Sequence, residues 1–264
     1  MKQVTTLLSH FRLQYKVIHA LVLREIHTRY GRDNLGFLWV IGEPILFCAG
    51  VAILWTAIRP AREHGLTMTA IVVTGYVPLT MWRHCMARAV KAYEANGSLL
   101  FHRQVTPFDI ITARTFLEII GTIMAGILVT GGAIALGYME PPKDFGPILL
   151  GLFLQSLFSF ATALLIASVS EMSDFVEKVV GIFSYLSLPF TGAFVMVSWL
   201  PLHYQWILML SPMANNIEMI RGGQFGMEAS VRYDLFYDSW TTVLLLGIGI
   251  ILTRGVRKHL DITG

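Results

Sequence analysis

The side chains best suited to chemistry lie along one hydrophobic segment of this chain, residues 70–90. When this segment is drawn as a helix, with successive residues about 100° apart, one sector gathers hydroxyl and basic groups. That sector holds Tyr76, Thr80, Arg83, His84 and Arg88. Groups of this kind can attract an anionic solute and exchange hydrogen bonds with it. We therefore interpret the sector as a candidate path for a polar, acidic solute.

A structural interpretation competes with the path interpretation for the same basic residues. A charge facing lipid at the centre of a bilayer costs at least about 2.5 kcal/mol, so it needs an acidic partner or a route to the headgroups. The candidate buried structural charges are Glu43, Arg114 and Glu118. Arg88 approaches the end of the segment, where snorkelling to the headgroups is the simpler explanation. Arg83 and His84 lie deeper, and for them both interpretations stay open.

Motifs of well-known enzyme classes are missing from the sequence. It has no G-x-x-x-x-G-K-[ST] phosphate loop, which excludes ATP hydrolysis by that route. It also has no G-x-S-x-G, no H-E-x-x-H and no paired acidic metal motif. The two cysteines, Cys48 and Cys85, form no metal-ligand spacing with the histidines. We therefore expect no catalytic residue, no metal site and no cofactor in this chain.

The elements that must position the candidate residues are six hydrophobic segments. Hydrophobic residues make up 55% of the chain and charged residues only 14%, against about a quarter in soluble domains. Runs of this length cross roughly 30 Å of hydrocarbon as helices, which satisfy their own backbone hydrogen bonds in lipid. The predicted spans are residues 35–58, 70–90, 115–138, 148–168, 179–200 and 237–253. The sequence thus predicts an all-α membrane protein with a six-span domain over residues 35–264.

Two further helical regions are predicted outside these spans. Residues 1–34 have an amphipathic pattern, typical of a helix that lies in the headgroup layer. Between the fifth and sixth spans, Ser211-Pro212 opens a short run that Arg221-Gly222-Gly223 closes. This run is too short to cross a bilayer. We expect re-entrant or periplasmic helices there, which would cap the bundle or form an exit gate.

Basic residues in the connections set the predicted orientation. Most of them lie before the first span, after the last span and in the second-to-third connection. Because the more basic side of a membrane protein faces the cytoplasm, we expect both termini to be cytoplasmic. The net charge of +3 is therefore a topology signal and not evidence for nucleic-acid binding.

Three stretches of the sequence resemble the membrane subunits of type-2 ABC exporters. The first runs from Leu23-Arg24-Glu25-Ile26 through Leu35-Gly36-Phe37-Leu38-Trp39 to Glu43-Pro44. The second runs from Glu94-Ala95-Asn96 through Phe101, Arg103, Pro107 and Asp109 to Glu118, and the third is Ser211-Pro212 with Glu218 and Arg221. The resemblance covers nearly the whole chain. Within the family, the sequence is most similar to the capsule-polysaccharide export permeases of Gram-negative bacteria (the KpsM-like branch). Asp33-Asn34 departs from the small or basic residues expected before the Leu-Gly-x-Leu-Trp run.

This resemblance implies a homodimeric transport subunit in the bacterial inner membrane. A separate ATP-binding cassette ATPase would hold the ATP and Mg²⁺. The substrate would be a long, acidic, lipid-linked capsular polysaccharide, passed from the cytoplasm to periplasmic and outer-membrane export proteins.

The resemblance also implies where the ATPase is contacted. The cytoplasmic loop between the second and third spans would carry the contact, and the candidate coupling residues are Glu94, Asn96, Phe101, Arg103 and Asp109. Three rival functions are kept: an O-antigen or teichoic-acid exporter permease, a membrane enzyme acting on lipid-linked sugar, and a scaffold that recruits biosynthetic enzymes.

Overall fold

The computed structural model describes residues 2–30, 36–58, 62–100 and 104–263. Within its helices, the side chains of residues 2–11, 29–30, 36–41, 43–44, 48, 55–56, 174 and 257–263 are not described. The predicted site residues Phe101 and Arg103, and the side chain of Glu43, therefore lie outside the described part.

Helices make up most of the described chain. In order they are α1 (Lys2–Tyr30), α2 (Gly36–Ile58), α3 (Met68–Ala89), α4 (Gly97–Leu100), α5 (Pro107–Ala135), α6 (Phe145–Met172), α7 (Asp174–Leu186), α8 (Leu202–Met209), α9 (Pro212–Phe225) and α10 (Leu235–Thr263). Between α2 and α3, strands β1 (Arg62–Glu63) and β2 (Leu66–Thr67) pair antiparallel. Their turn places both His64 and Gly65 at positive φ. The all-α class predicted from the sequence is confirmed.

Three of the described helices are long and apolar enough to cross a membrane. They are α5, α6 and the part of α10 from Leu235 to Val256, which match the third, fourth and sixth predicted spans. α2 coincides with the first predicted span and α3 with the second. α3 has 22 residues, about 33 Å of helix, which is enough to cross the hydrocarbon core. Because α3 carries polar side chains, it is not among the three helices that are apolar enough to cross a membrane. That α3 crosses the membrane therefore remains a prediction.

The segment predicted as the fifth span, residues 179–200, is not one continuous helix. α7 begins earlier, at Asp174, and ends at Leu186 after 13 residues, about 20 Å of helix. Short 3₁₀ turns follow at Leu188–Phe190 and Val197–Trp199. Pro189 cannot donate a helical hydrogen bond, and Gly192 takes a left-handed φ of 69°. These two residues break the helix that hydropathy alone predicts.

The predicted third span also starts earlier than expected, at Pro107 rather than at residue 115. Thr106 and Asp109 form a capping box: the Thr106 hydroxyl accepts from the Asp109 amide at 3.3 Å. The Asp109 carboxylate accepts in return from the Thr106 amide at 2.8 Å. Because this box satisfies the first backbone donors of the helix, α5 projects beyond the hydrophobic run into the polar region.

The core is centred on α3, which packs against α2, α5, α6 and α9. Close approach is possible because Gly75 lacks a side chain: a Cβ there would lie 1.9 Å from the Ala193 carbonyl oxygen. On the other flank of α6, a Cβ on Gly249 of α10 would lie 2.9 Å from the Leu164 side chain. Small residues at such contacts let helix backbones pack closely. α3 is therefore enclosed on most sides within a single chain.

The N-terminal helix α1 lies against α5. Leu21 and Glu25 are its buried residues among those described, whereas Tyr15 is 70% exposed. Ile18, Val22 and Ile26 are half-buried. The amphipathic stripe predicted from the sequence is thus only partly covered by this chain, and its placement in the headgroup layer stays a prediction.

Candidate functional site

The polar sector of α3 divides into a buried half and a partly exposed half. Tyr76 and Thr80 are buried, and the Thr80 hydroxyl donates to the Tyr76 carbonyl one turn before it. The Tyr76 ring tilts against Phe194, with 6.4 Å between ring centroids. Two of the five predicted path residues are therefore covered by other parts of the same chain.

Glu118 on α5 lies close to two basic side chains of this sector, His84 and Arg88. Its carboxylate lies 3.6 Å from His84 Nδ1 and 3.3 Å from Arg88 Nε. Glu118 is only 5% exposed, and a buried carboxylate is expected to have cationic partners. This is the internal pairing that sequence analysis set against the path interpretation. It engages His84 and Arg88 and ties the end of α3 to α5.

Arg83 has a different environment from its two neighbours. Its guanidinium carbon lies 4.6 Å from the centroid of the Tyr185 ring on α7. A guanidinium over an aromatic face at this distance is a cation–π contact, which leaves the positive charge in place. Among the described residues, the ion pairs of this sector are formed by His84 and Arg88 and not by Arg83. It is half-buried, and Tyr185 is 62% exposed, so an anion outside this chain can reach the pair.

The predicted coupling residues that the structure describes, Glu94, Asn96 and Asp109, differ in exposure. Glu94 is exposed and pairs with Lys91 at 3.5 Å. Asn96 is buried, accepts from Arg24 Nη1 of α1 at 3.0 Å and donates to the Ala92 carbonyl at 2.8 Å. With its side chain covered, Asn96 can shape this loop from inside but offers little surface to a partner subunit.

Among the described residues, polar contacts at three positions attach α1 to the rest of the chain. Besides Arg24 with Asn96, Gln14 donates to the buried Asp109 carboxylate. Glu25 lies 3.3 Å from Arg114 Nε, and Arg114 also donates to the Arg88 carbonyl at 3.0 Å. Asp109 and Arg114, assigned from the sequence to coupling and to a buried charge, thus both hold α1 against α5. A movement of α1 would therefore displace α5, and because Arg114 also contacts the Arg88 carbonyl, it would displace α3 as well.

A buried ion pair on α9 is the most highly connected polar group of the described chain, and sequence analysis gave it no role. Arg221 lies 3.2 Å from Glu218, and both side chains are fully buried. Arg221 donates to three carbonyl groups of the segment after α7, at 2.8 Å to Gly192, 2.8 Å to Ala193 and 2.9 Å to Val195.

Glu218 completes this network by accepting from backbone donors on both sides. The Val197 amide lies 3.2 Å away and the Arg232 amide 3.3 Å away. Burial raises the pKa of the Glu218 carboxyl and lowers the pKa of the Arg221 guanidinium, and each charge opposes the shift of the other. The pair joins α9 to the broken segment before it and the loop after it. Its sequence signal was an acid and a base three residues apart on a short helix.

No metal centre is formed by the described residues, because no three His, Cys, Asp or Glu side chains among them come together. The described residues therefore form groups that can bind a solute or position a helix. These groups are the charged residues at the end of α3, the polar contacts that hold α1 against α5, and the buried ion pair of α9.

Comparison of the sequence with known proteins identifies the family of this chain and several relatives. Residues 16–225 match the family described as ABC-2 type transporter. The chain is 36% identical to the capsule polysaccharide export inner-membrane protein BexB of Haemophilus influenzae, over 97% of each chain. It is 35% identical to the capsule polysaccharide export inner-membrane protein CtrC of Neisseria meningitidis serogroup B, again over 97% of each. It is 28% identical to the polysialic acid transport protein KpsM of Escherichia coli, over 93% of this chain and 95% of the relative.

Proposed function

Because this chain belongs to the ABC-2 type transporter family, we propose that it is the membrane subunit of an ATP-driven exporter of capsular polysaccharide. The observation that carries the proposal is similarity over 97% of the chain to proteins named for capsule polysaccharide export at the inner membrane. The substrate would be an acidic, lipid-linked polymer, and the half-exposed charge of Arg83 supports an anionic cargo.

The energy source is assigned to a partner. Since the sequence has no phosphate loop, ATP and Mg²⁺ would bind a separate ATP-binding cassette subunit. That subunit would dock on the cytoplasmic side, where Glu94 is exposed and α1 is fastened to α5. Periplasmic and outer-membrane export proteins would receive the polymer.

The proposed membrane arrangement has six spans and both termini in the cytoplasm. Residues 1–34 form the cytoplasmic interface segment, and residues 35–264 form the membrane domain. α2, α3, α5, α6 and α10 supply five spans, and the fifth in chain order is α7 with the irregular segment after it. α8 and α9 would lie towards the periplasm as a cap on the bundle or as an exit gate, and the buried contacts of Arg221 fix the position of α9.

The proposed assembly is a homodimer with a path between its two copies. One chain covers Tyr76 and Thr80 itself and presents only the Arg83 end of the sector. Next to that end, α7 leaves Ile182, Tyr185 and Leu186 more than half exposed. Two copies related by a twofold axis, with α2 and α7 near it, would enclose a path that one cannot. The mass of the intact complex in detergent tests this, and an active complex with one copy would contradict it.

Deletion of the gene tests the proposed function. We expect surface capsule to be lost and polymer to accumulate in the cytoplasm, because synthesis continues while export stops. The measurement is polysaccharide content of surface extracts and cytoplasmic fractions, with a plasmid-borne copy as the control. A deletion strain that makes no polymer would indicate an enzyme instead. Intact capsule with lost O-antigen would indicate an O-antigen exporter.

Charge reversal in the second-to-third connection tests the proposed coupling. Glu94→Lys combined with Arg103→Glu is expected to reduce ATPase co-purification and export about tenfold or more, with normal amounts of membrane-inserted protein. The matched control is Arg62→Glu combined with Glu140→Lys, which reverses an exposed ion pair between two connections on the opposite side of the membrane. Unchanged ATPase association and export in the Glu94 and Arg103 double variant would remove the second-to-third connection from the contact.

A further inference from the structure

A cavity of about 310 Å³ opens between α8, the loop at residues 232–234 and the start of α10. Three aromatic side chains line it: Trp206, Tyr233 and Tyr237. Hydrogen bonds fix its wall, since the Tyr237 hydroxyl donates to the Leu210 carbonyl at 2.9 Å. The Asp234 carboxylate accepts from the Tyr237 amide at 3.0 Å. A pocket held in this way needs little rearrangement to accept a ligand.

Hydrogen-bond donors and acceptors also line the cavity, beside the aromatic rings. Arg232 and Asp234 are exposed and line the cavity, one as a donor and the other as an acceptor. Gln205 lines it as well and is 93% buried, with 7% of its surface exposed. Its Nε2 donates to the Leu200 carbonyl at 2.7 Å, which fixes the orientation of the amide. The remaining Oε1 is itself buried and has no hydrogen-bond partner within the described residues.

The lining selects the chemistry of the occupant. A phosphate group supplies acceptors only, which would serve Arg232 but would place a negative charge beside the Asp234 carboxylate. A sugar residue supplies hydroxyl groups that both donate and accept, and its apolar ring face packs on flat aromatic side chains. The volume is at the lower end of ligand pockets, about 300–1,000 Å³, so it suits a single residue rather than a length of polymer.

We propose that this cavity binds one sugar residue of the exported polysaccharide on the external side of the membrane. The inference rests on the proposed function and adds a subsite to it. The site lies next to α9, because the Asp234 amide donates to Asn215 of that helix at 2.8 Å. A sugar held here would engage the polymer as it leaves the α8–α9 region.

Binding of a fluorescently labelled capsular oligosaccharide, prepared by mild hydrolysis of the producing strain's capsule, tests the subsite. The purified full chain in detergent is titrated and anisotropy is recorded. Trp206→Ala is expected to weaken binding about tenfold, and Trp206→Phe, which keeps a ring, by about threefold or less. Trp240→Ala is the matched control: Trp240 is 61% exposed but does not line the cavity, and its loss is expected to leave binding unchanged. Because Trp206 is 77% exposed, unfolding of the variant is not expected, and thermal unfolding checks this.

Three results would overturn the subsite. They are equal affinities of Trp206→Ala and the unchanged protein, displacement of the oligosaccharide by phosphatidylglycerol, and a change of oligomeric mass in Trp206→Ala without a change of affinity. The second would make the cavity a lipid site and the third a contact between copies. Failure of the proposed function is separate, because it appears as normal surface capsule in the deletion strain whatever the binding result.

Discussion

An Arg221→Met variant is expected to lose about 3–5 kcal/mol of folding stability and most of its folded yield. The substitution leaves the buried Glu218 carboxylate without the guanidinium that lies 3.2 Å from it. It also removes the donor shared by three carbonyl groups of the segment after α7. Each buried acceptor left without a donor adds its own desolvation cost of about 1–3 kcal/mol. Thermal unfolding and size-exclusion profiles in one detergent measure the loss.

The matched control is the same substitution at an exposed arginine. Arg62 pairs with Glu140 at 3.1 Å, but its side chain is 65% exposed, so Arg62→Met is expected to cost at most about 1 kcal/mol. A double variant, Arg221→Met with Glu218→Gln, is expected to be less destabilised than Arg221→Met alone, because it removes the uncompensated charge. If Arg221→Met unfolds at the same temperature as Arg62→Met, the pair does not hold α9 in place.

Hydropathy located most helices of this fold, but it missed the break after α7 and the start of α5. The run after residue 178 is apolar enough to average as one span, and Pro189 and Gly192 were visible in it as break signals. Hydropathy averaged over about 20 residues does not detect such single helix-breaking residues. In the same way, the capping box of Thr106 and Asp109 lies outside the apolar run, so hydropathy placed the start of α5 too late.

The helical wheel of α3 identified which residues share a sector but not what that sector meets. Tyr76 and Thr80 are covered because α6, α9 and the broken segment after α7 close around the first half of the helix. His84 and Arg88 meet Glu118 because α5 crosses their end. These neighbours come from distant parts of the sequence, and periodicity within one helix has no information about them.

The Glu218–Arg221 network was beyond the reach of local patterns for a related reason. An acid and a base three residues apart are typical of an exposed helix face, where they add little stability. Here the same spacing is fully buried, because backbone carbonyl groups from a broken helix converge on the guanidinium. Only the tertiary fold brings those carbonyl groups to one point.

The remaining large effect expected concerns Arg83, whose charge has no carboxylate partner within the described residues. Arg83→Met is expected to lower export of an acidic polymer about tenfold, equivalent to about 1.4 kcal/mol, while the amount of membrane-inserted protein stays normal. Methionine keeps an apolar stem against the Tyr185 ring, so the substitution removes charge more than packing. Exported polymer and subunit abundance must be measured in the same cells.

The choice of controls decides what that result means. Leu79 and Met86, on the opposite sector, are buried to 98% or more, so alanine there would cost about 2–5 kcal/mol by leaving a cavity and is unsuitable. Glu118→Gln is the informative comparison, because it releases His84 and Arg88 without touching Arg83 and is expected to lower abundance. Arg83→Lys, which keeps the charge, is expected to retain most of the export. If Arg83→Met behaves like Glu118→Gln, Arg83 is structural; if its export is normal, the path does not use this charge.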